Sequence, residues 1–298
     1  MRAAFAESGI AVWRETVPPI ADGVRVRIAA CGLNRADLLQ IAGMYPPPPG
    51  ESDILGMECA GETDDGRRVC LLLGSGGLAD EVIADSRLFL ELPPRMTFAE
   101  GAAIPEVWLT AFLNLFHEGG LAPGERVLIH AGGSGVGTAA IQLARRAGAY
   151  VVATSRSVDK LAKCLALGAH EAKHADDVHE PVDVILDTLG GGALARNVSL
   201  LARGGRLVSI ALMQGRGGEL DLAALLTRRL HLVGSTLRSR SGDDKAALTA
   251  RFRRDVWPAF ARAELRAVVD QVFAADKLAE AYAHLAANGT FGKVVVTR

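Results

Sequence analysis

The chain reads as an α/β protein, a doubly wound parallel sheet inserted in a β-rich domain. Three observations predict this. From residue 126 onward, apolar strands alternate with helices on a regular schedule. Residues 1 to about 105 lack that alternation and hold short strands cut by Gly and Pro. The last apolar run, 292–297, has no neighbouring sheet of its own, so it is expected to return to the N-terminal strands.

The elements follow in order. Residues 1–5 open with a strand, and 24–30 alternate apolar and charged residues with the period of two of a half-buried strand. Short apolar runs at 53–55, 59–62, 68–73 and 81–83 are separated by turn residues, including the proline run 46–49. Thr97-Phe98-Ala99-Glu100 has the form of a capping box, so a helix starts there. Pro105 interrupts it, and a second helix is expected over 107–117. Strands follow at 126–131, 150–154, 182–187, 206–211 and 230–234, with helices between most of them, the first over 138–146. Beyond residue 240 come a long helix at 243–260, a strand at 268–273, a helix at 276–287 and the closing strand. The expected division is 1–108 for the β-rich part, 109–242 for the parallel-sheet domain and 243–298 for the return.

The 298 residues suit two domains. With 49% hydrophobic and 22% charged residues the chain can fill a large core, which excludes disorder. A formal charge of −1 gives no footprint for nucleic acid or for a membrane surface. Cys31, Cys59, Cys70 and Cys164 show no zinc-ligand spacing and read as reduced, buried thiols. The N-terminus lacks a basic stretch followed by an apolar one, and no window approaches 18 apolar residues. A cytoplasmic location is the expectation.

Residues 127–137 are the most informative stretch. An apolar strand runs into Gly132-Gly133-Ser134-Gly135-Val136-Gly137 and then into an Ala-rich helix. Such a turn points backbone N–H groups and a helix N-terminus at a pyrophosphate. Ser134 stands at the middle glycine position, so the strict G-x-G-x-x-G spacing is not met. The next strand ends in Ser155-Arg156-Ser157, with Lys160 one helical turn on. A carboxylate there accepts from a ribose 2′-OH and repels a 2′-phosphate, whereas Arg and Lys attract the phosphate. The loop and this cluster predict a Rossmann-type domain that binds NADPH. The other reading of Arg156 and Lys160 is an ordinary solvated pair. Leu212, Thr236 and Leu237 lie beyond the carboxyl ends of later strands, where a doubly wound sheet places its ligand. His130 is expected to pack at its strand end. Gly133-Ser134-Gly135 is no nucleophile elbow, because G-x-S-x-G would need Gly where Val136 stands.

Further segments are spread along most of the chain: Leu33-Asn34-Arg35-Ala36-Asp37-Leu38, Gly43-Met44-Tyr45-Pro46, Ile54-Leu55-Gly56-Met57-Glu58, Ala103-Ile104-Pro105-Glu106-Val107-Trp108, Asp187-Thr188-Leu189-Gly190-Gly191, Leu237-Arg238-Ser239-Arg240 and Gly292-Lys293. In these the chain resembles the medium-chain dehydrogenase/reductase superfamily and, within it, the zinc-free quinone oxidoreductases of the zeta-crystallin type. The resemblance implies a GroES-like catalytic domain around the Rossmann domain, NADPH as cofactor, a quinone or enone as small-molecule substrate, and a homodimer formed through the apolar edge strand 230–233. Zinc-dependent members carry Cys where this chain has Asn34 and His where it has Met57, and neither Asn nor a thioether is a good Zn²⁺ ligand.

By resemblance Asn34 and Thr110 contact the nicotinamide. Gly190 and Lys293 fall in cofactor-binding segments, and His174 stands where relatives often place a Tyr near the adenosine. Tyr45 lines the quinone pocket and, with Asn34, makes up the expected catalytic pair. Each has a plainer alternative: an Asx-turn cap for Asn34, an anchor for the proline loop for Tyr45, and a bond to its own helix carbonyl for Thr110. The expected activity is zinc-independent NADPH:quinone reduction, by one electron or by hydride. The alternatives are an enoyl or alkenal reductase and a non-catalytic NADPH-binding sensor.

Overall fold

The structure, a computed structural model, describes residues 1–18 and 22–298. They divide into two compact units, Met1–Leu109 with Leu237–Arg298, and Thr110–Thr236. Residues 237–242, expected with the parallel-sheet domain, belong to the first unit. Arg238 is hydrogen-bonded there to Gln40, Tyr45 and Gly74.

The first unit is built on a seven-stranded sheet. Its main path runs Val269–Ala274, Lys293–Thr297, Val24–Gly32, Glu58–Thr63, Arg68–Leu72 and Phe89–Glu91, and Glu81–Ala84 pairs beside Val24–Gly32. In Val24–Gly32 the side chains of Val26 and Ile28 are buried and those of Arg25 and Arg27 exposed, as the alternation predicts. The returning strand Lys293–Thr297 pairs antiparallel with it, Val296 opposite Cys31. An antiparallel hairpin, Arg2–Glu7 with Ile10–Glu15, turns through Ser8 and Gly9, both at positive φ as its two-residue turn requires. Val26, Ile28, Val69, Leu71, Val82 and Phe89 pack into one core cluster. Burying each such side chain contributes about 1.5–3 kcal/mol.

The second unit holds a six-stranded sheet in the order Glu171–Lys173, Tyr150–Thr154, Arg126–Ile129, Val182–Asp187, Leu201–Ser209, His231–Gly234. Every pairing is parallel. Val127, Leu128, Ile129, Val151, Val152, Val184 and Ile185 are wholly buried, so the central strands are apolar without alternation. The order, reversing beside Arg126–Ile129, is the doubly wound Rossmann arrangement.

The helices bear out some expectations and correct others. The capping box at Thr97 forms as predicted, with Thr97 Oγ1 accepting from Glu100 N and Glu100 from Thr97 N. Pro105 interrupts as expected: the first helix ends at Ala102, and Pro105 itself starts the second, Pro105–Phe112, whose first turn needs no N–H from it. The chain then widens to a π-helical segment, Leu113–Glu118, where Gly119 N bonds Asn114 O five residues back. The expected long helix near the C-terminus is two, Gly242–Asp255 and Trp257–Ala261, because Pro258 has no N–H for the ladder. No helix among the described residues is long and apolar enough to cross a membrane.

Candidate active site

In the parallel-sheet unit the glycine-rich turn is fixed at both ends. Gly132 N donates to Thr154 O at 2.8 Å, and Ser134 caps the helix Gly135–Arg146 by accepting from Gly137 N at 3.0 Å. A side chain at Gly137 would run into the Ala131 carbonyl, so this position must be glycine for helix and turn to pack. The first N–H groups of the helix, at Gly135 and Val136, have no intrahelical acceptor.

His130 lies under this turn, 2% exposed. Its Nε2 is 2.8 Å from Asn197 Oδ1 and its Nδ1 is 3.0 Å from Thr154 Oγ1. Asn197 Oδ1 can only accept, so Nε2 carries the proton and Nδ1 accepts from the Thr154 hydroxyl. Burial lowers the His130 pKa, in keeping with a neutral ring. It is a bonded core histidine, not merely a packed one. Beyond Thr154, Ser155 Oγ accepts from Ser157 N at 3.1 Å, and Arg156 is exposed. Ser157 stands at the N-cap of the next helix, on which Lys160 is half-buried. His174 accepts from Asp176 N and so caps a short turn of its own.

The other strand ends gather polar groups. Asp187 accepts from Leu189 N at 2.8 Å and from Gly190 N at 3.2 Å. Burial raises its pKa. Gly190 has φ +80°, and a side chain there would strike Leu212 Cα, so its glycine has a packing reason. A pocket of about 220 Å³ is lined by Asp187, Gly190, Ser209, Leu212 and Gly234 among others. The hydroxyls of Thr110, Thr188 and Ser235 are buried, and among the described residues none has a hydrogen-bond partner. Thr110 does not bond its helix carbonyl; the amide of Asn114 takes the Thr110 carbonyl instead. Thr236 is exposed. An anionic dinucleotide fits this unit: two N–H groups at a helix start, three unbonded hydroxyls, and a strand end with Arg156 and no carboxylate. Sequence reasoning missed Thr188 and Ser235, whose only signal is a hydroxyl just past a buried strand.

In the β-rich unit Asn34, Glu58 and Lys293 form a buried polar centre. Lys293 Nζ lies 2.7 Å from Glu58 Oε1, 2.6 Å from Asn34 Oδ1 and 2.6 Å from Leu33 O. Asn34 Nδ2 donates to Glu58 Oε1 at 2.9 Å and to Gly32 O at 3.2 Å, so both amide hydrogens are taken. Glu58 Oε2 accepts from Glu106 N at 2.8 Å. Asp37 accepts from Asn34 N at 2.7 Å, which makes Asn34 the start of the helix Arg35–Ile41. Burial raises Asp37 to about 6 against the pull of that N–H and of Lys293. Burial, with Glu58 adding to it, raises Glu106 to about 7. One oxygen of each carboxyl has no partner. These residues do not fit a metal ion. An ammonium bonds the Asn34 and Glu58 oxygens, and Met57 is packed in the core at 1% exposure. Glu58 is the residue most clearly missed. Its signal is a charge inside the apolar run 54–60.

Tyr45 is half-buried. Burial, followed by Glu106, raises its phenol pKa, while Arg238 lowers it. The Arg238 guanidinium carbon lies 5.1 Å from the Tyr45 ring centroid. Leu237 is buried in this unit, 5% exposed, and three of the expected cofactor residues, Asn34, Leu237 and Lys293, therefore belong to it and not to the parallel-sheet unit that holds the others. Of the two expected catalytic residues, the structure ties Asn34 to Lys293 and Glu58, and Tyr45 to Arg238.

The zinc-binding dehydrogenase family matches residues 135–253. The chain is 34% identical to the quinone oxidoreductase of Thermus thermophilus, whose crystal structures include a complex with NADPH; the TM-score is 0.89 and both chains are covered in full. Against the CurK enoyl reductase the identity is 27% and the TM-score 0.84, over 99% of this chain and 98% of that one. The polyketide synthase GfsB of Streptomyces halstedii is 36% identical over 225 residues, 70% of this chain and 4% of that protein. The chain thus spans only a small part of the polyketide synthases it matches. The fold and the full-length likeness define the class: the chain belongs to the medium-chain dehydrogenase/reductase superfamily, in its quinone oxidoreductase branch.

Proposed function

We propose that the chain is a zinc-independent NADPH:quinone oxidoreductase. The observation that carries this reading is the full-length likeness to the Thermus enzyme. The N–H groups of the 132–137 turn hold the pyrophosphate, and Arg156, Ser157 and Lys160 hold the 2′-phosphate. Thr110, Thr188 and Ser235 bond the cofactor with their unpartnered hydroxyls. Gly190, Leu212 and Thr236 line its binding surface, and His174 lies at the adenosine end. Bound NADPH supplies the reducing electrons. Tyr45 stacks on the quinone and donates to its oxygen. Asn34, Glu58 and Lys293 form a fixed polar wall, and Asn34 keeps a lone pair on Oδ1 as its means of meeting a ligand. Catalysis is then mostly positioning. The proposal extends to a cytoplasmic homodimer paired through the edge strand His231–Gly234.

The likeness to an enoyl reductase and to polyketide synthases favours a second reading, reduction of a C=C next to a carbonyl. Loss of NADPH absorbance with 1,4-benzoquinone, 9,10-phenanthrenequinone and an α,β-unsaturated aldehyde, with NADH as the control cofactor, separates them. Rapid oxidation with quinones and little with NADH is expected. Turnover with the enal alone moves the assignment to the second reading, and binding without turnover makes the chain a sensor.

A further inference from the structure

Arg238 is a buried cation, 4% exposed, with an unusual set of partners. Nε donates to Gly74 O at 2.9 Å, one terminal nitrogen to Tyr45 O at 3.3 Å and the other to Gln40 Oε1 at 2.6 Å. All three acceptors are neutral. A guanidinium removed from water without a bonded carboxylate is costly, and neutral dipoles offset only part of the cost. The Asp37 and Glu106 carboxyls, whose pKa values Arg238 lowers, offset more of it, and the face of the Tyr45 ring lies 5.1 Å from the guanidinium carbon.

This arrangement grips Tyr45 twice. The hydrogen bond to its carbonyl fixes the backbone at the start of the proline run, and the cation over its ring fixes the side chain. With one ring face covered, the opposite face is the one left for a flat ligand. A cation over an aromatic ring also draws electron density from it, which makes the phenol a stronger hydrogen-bond donor.

We propose that Arg238 is a positioning residue that acts through Tyr45: it orients the ring for a planar, conjugated carbonyl acceptor and strengthens the phenol's hydrogen bond to the acceptor oxygen as that oxygen gains negative charge. The inference rests on the reading of Tyr45 as an acceptor-facing residue. Its electrostatic part agrees with the opposed influences on Tyr45, where Arg238 lowers a phenol pKa that burial and Glu106 raise. The phenol therefore stays protonated, and able to donate, through the neutral range.

The test is a double-mutant cycle of Arg238→Gln with Tyr45→Phe in the full chain, read with 9,10-phenanthrenequinone and NADPH. Arg238→Gln alone is expected to lower kcat about tenfold or more, the scale of a lost hydrogen-bond contribution in a transition state. In the Tyr45→Phe background the same change is expected to cost less than about threefold. Arg238→Lys, which keeps the charge but not the fork, falls between and serves if the glutamine variant does not fold. A second readout needs no turnover. The Tyr45 ionisation, taken from the ultraviolet difference spectrum against Tyr45→Phe, is expected to move to higher pH in Arg238→Gln, which removes the charge, and much less in Arg238→Lys, which keeps it. Equal losses in both backgrounds, or an unmoved Tyr45 titration in Arg238→Gln, overturn the proposal. A wild-type chain that turns over no quinone overturns the functional reading instead, and the titration still decides whether Arg238 acts on Tyr45.

Discussion

One set of buried polar groups in each unit sets up a contrast. In the β-rich unit, Lys293, Asn34 and Glu58 bond one another, and Arg238 is held by three neutral oxygens. In the parallel-sheet unit, the hydroxyls of Thr110, Thr188 and Ser235 are buried without a partner, and the first helix N–H groups beside Ser134 have no intrahelical acceptor. A self-bonded cluster shapes a wall whether or not anything binds to it. Unbonded buried donors cost stability until a ligand meets them. The first arrangement should therefore fail when one of its members is removed, and the second when its ligand contacts are.

The largest effect is expected at Lys293. Lys293→Met leaves the Glu58 carboxylate buried beside an apolar chain, and breaking a buried pair from one side costs about 3–5 kcal/mol. The three tryptophans, Trp13, Trp108 and Trp257, all lie in the β-rich unit, so their fluorescence reports that unit during urea unfolding. Lys293→Met with Glu58→Gln should recover a large part of the loss. A single variant as stable as the parent would mean that the ammonium is not what holds the centre together.

The same centre should make stability depend on pH. Asp37 is raised from an ordinary 3.8 to about 6 and Glu106 from 4.5 to about 7, both chiefly by burial. Each folded-state value lies above the unfolded one, so the native chain holds more protons across the interval between them. Stability from these groups is full below about pH 4 and is lost as pH rises through 6 and 7. Glu106→Gln should flatten the upper part of that fall, on the order of 2 kcal/mol between pH 5 and pH 8. Urea midpoints at those two pH values measure it. Equal slopes in parent and variant would assign the dependence to other groups.

In the parallel-sheet unit the sharper test is affinity. Arg156→Ala should weaken NADPH by about 10- to 100-fold, the scale of a charge-assisted hydrogen bond to phosphate, and leave NADH almost unchanged. Nucleotide fluorescence titration reads both. Equal weakening of the two cofactors would place Arg156 away from the 2′-phosphate.

Most of the second unit is legible in the sequence because its signals are local. An unbroken apolar strand, a glycine turn and an Ala-rich helix fix one another within twenty residues, and the strand ends follow from the same period. The short strand Glu171–Lys173 is not legible, since three half-buried residues carry no period. In the β-rich unit the return of the last strand can be read from its lack of neighbours. The polar centre cannot, because Asn34, Glu58 and Lys293 are far apart in sequence and nothing local marks them as partners. The resemblance assigns Asn34 a ligand-facing role, yet its two amide hydrogens are used inside the unit. Arg238 carries no local sign of burial; only the fold brings Gly74, Gln40 and Tyr45 around it.

The smallest effect is expected at Ser134, and it separates the two kinds of polar group within one turn. Its hydroxyl accepts from Gly137 N and so satisfies one helix-start donor internally. The neighbouring N–H groups of Gly135 and Val136 have no intrahelical acceptor. Ser134→Ala removes the cap and should cost about 1 kcal/mol of stability in the parallel-sheet unit. It also frees the Gly137 N–H, which then bonds water or the cofactor in place of the hydroxyl. NADPH affinity should then fall by less than about threefold, a change below ~0.7 kcal/mol. Thermal unfolding followed by far-ultraviolet circular dichroism, with and without NADPH, gives both quantities. A loss of affinity as large as that of Arg156→Ala would mean that the Ser134 hydroxyl itself meets the cofactor, and the internal cap would be a feature of the ligand-free turn alone.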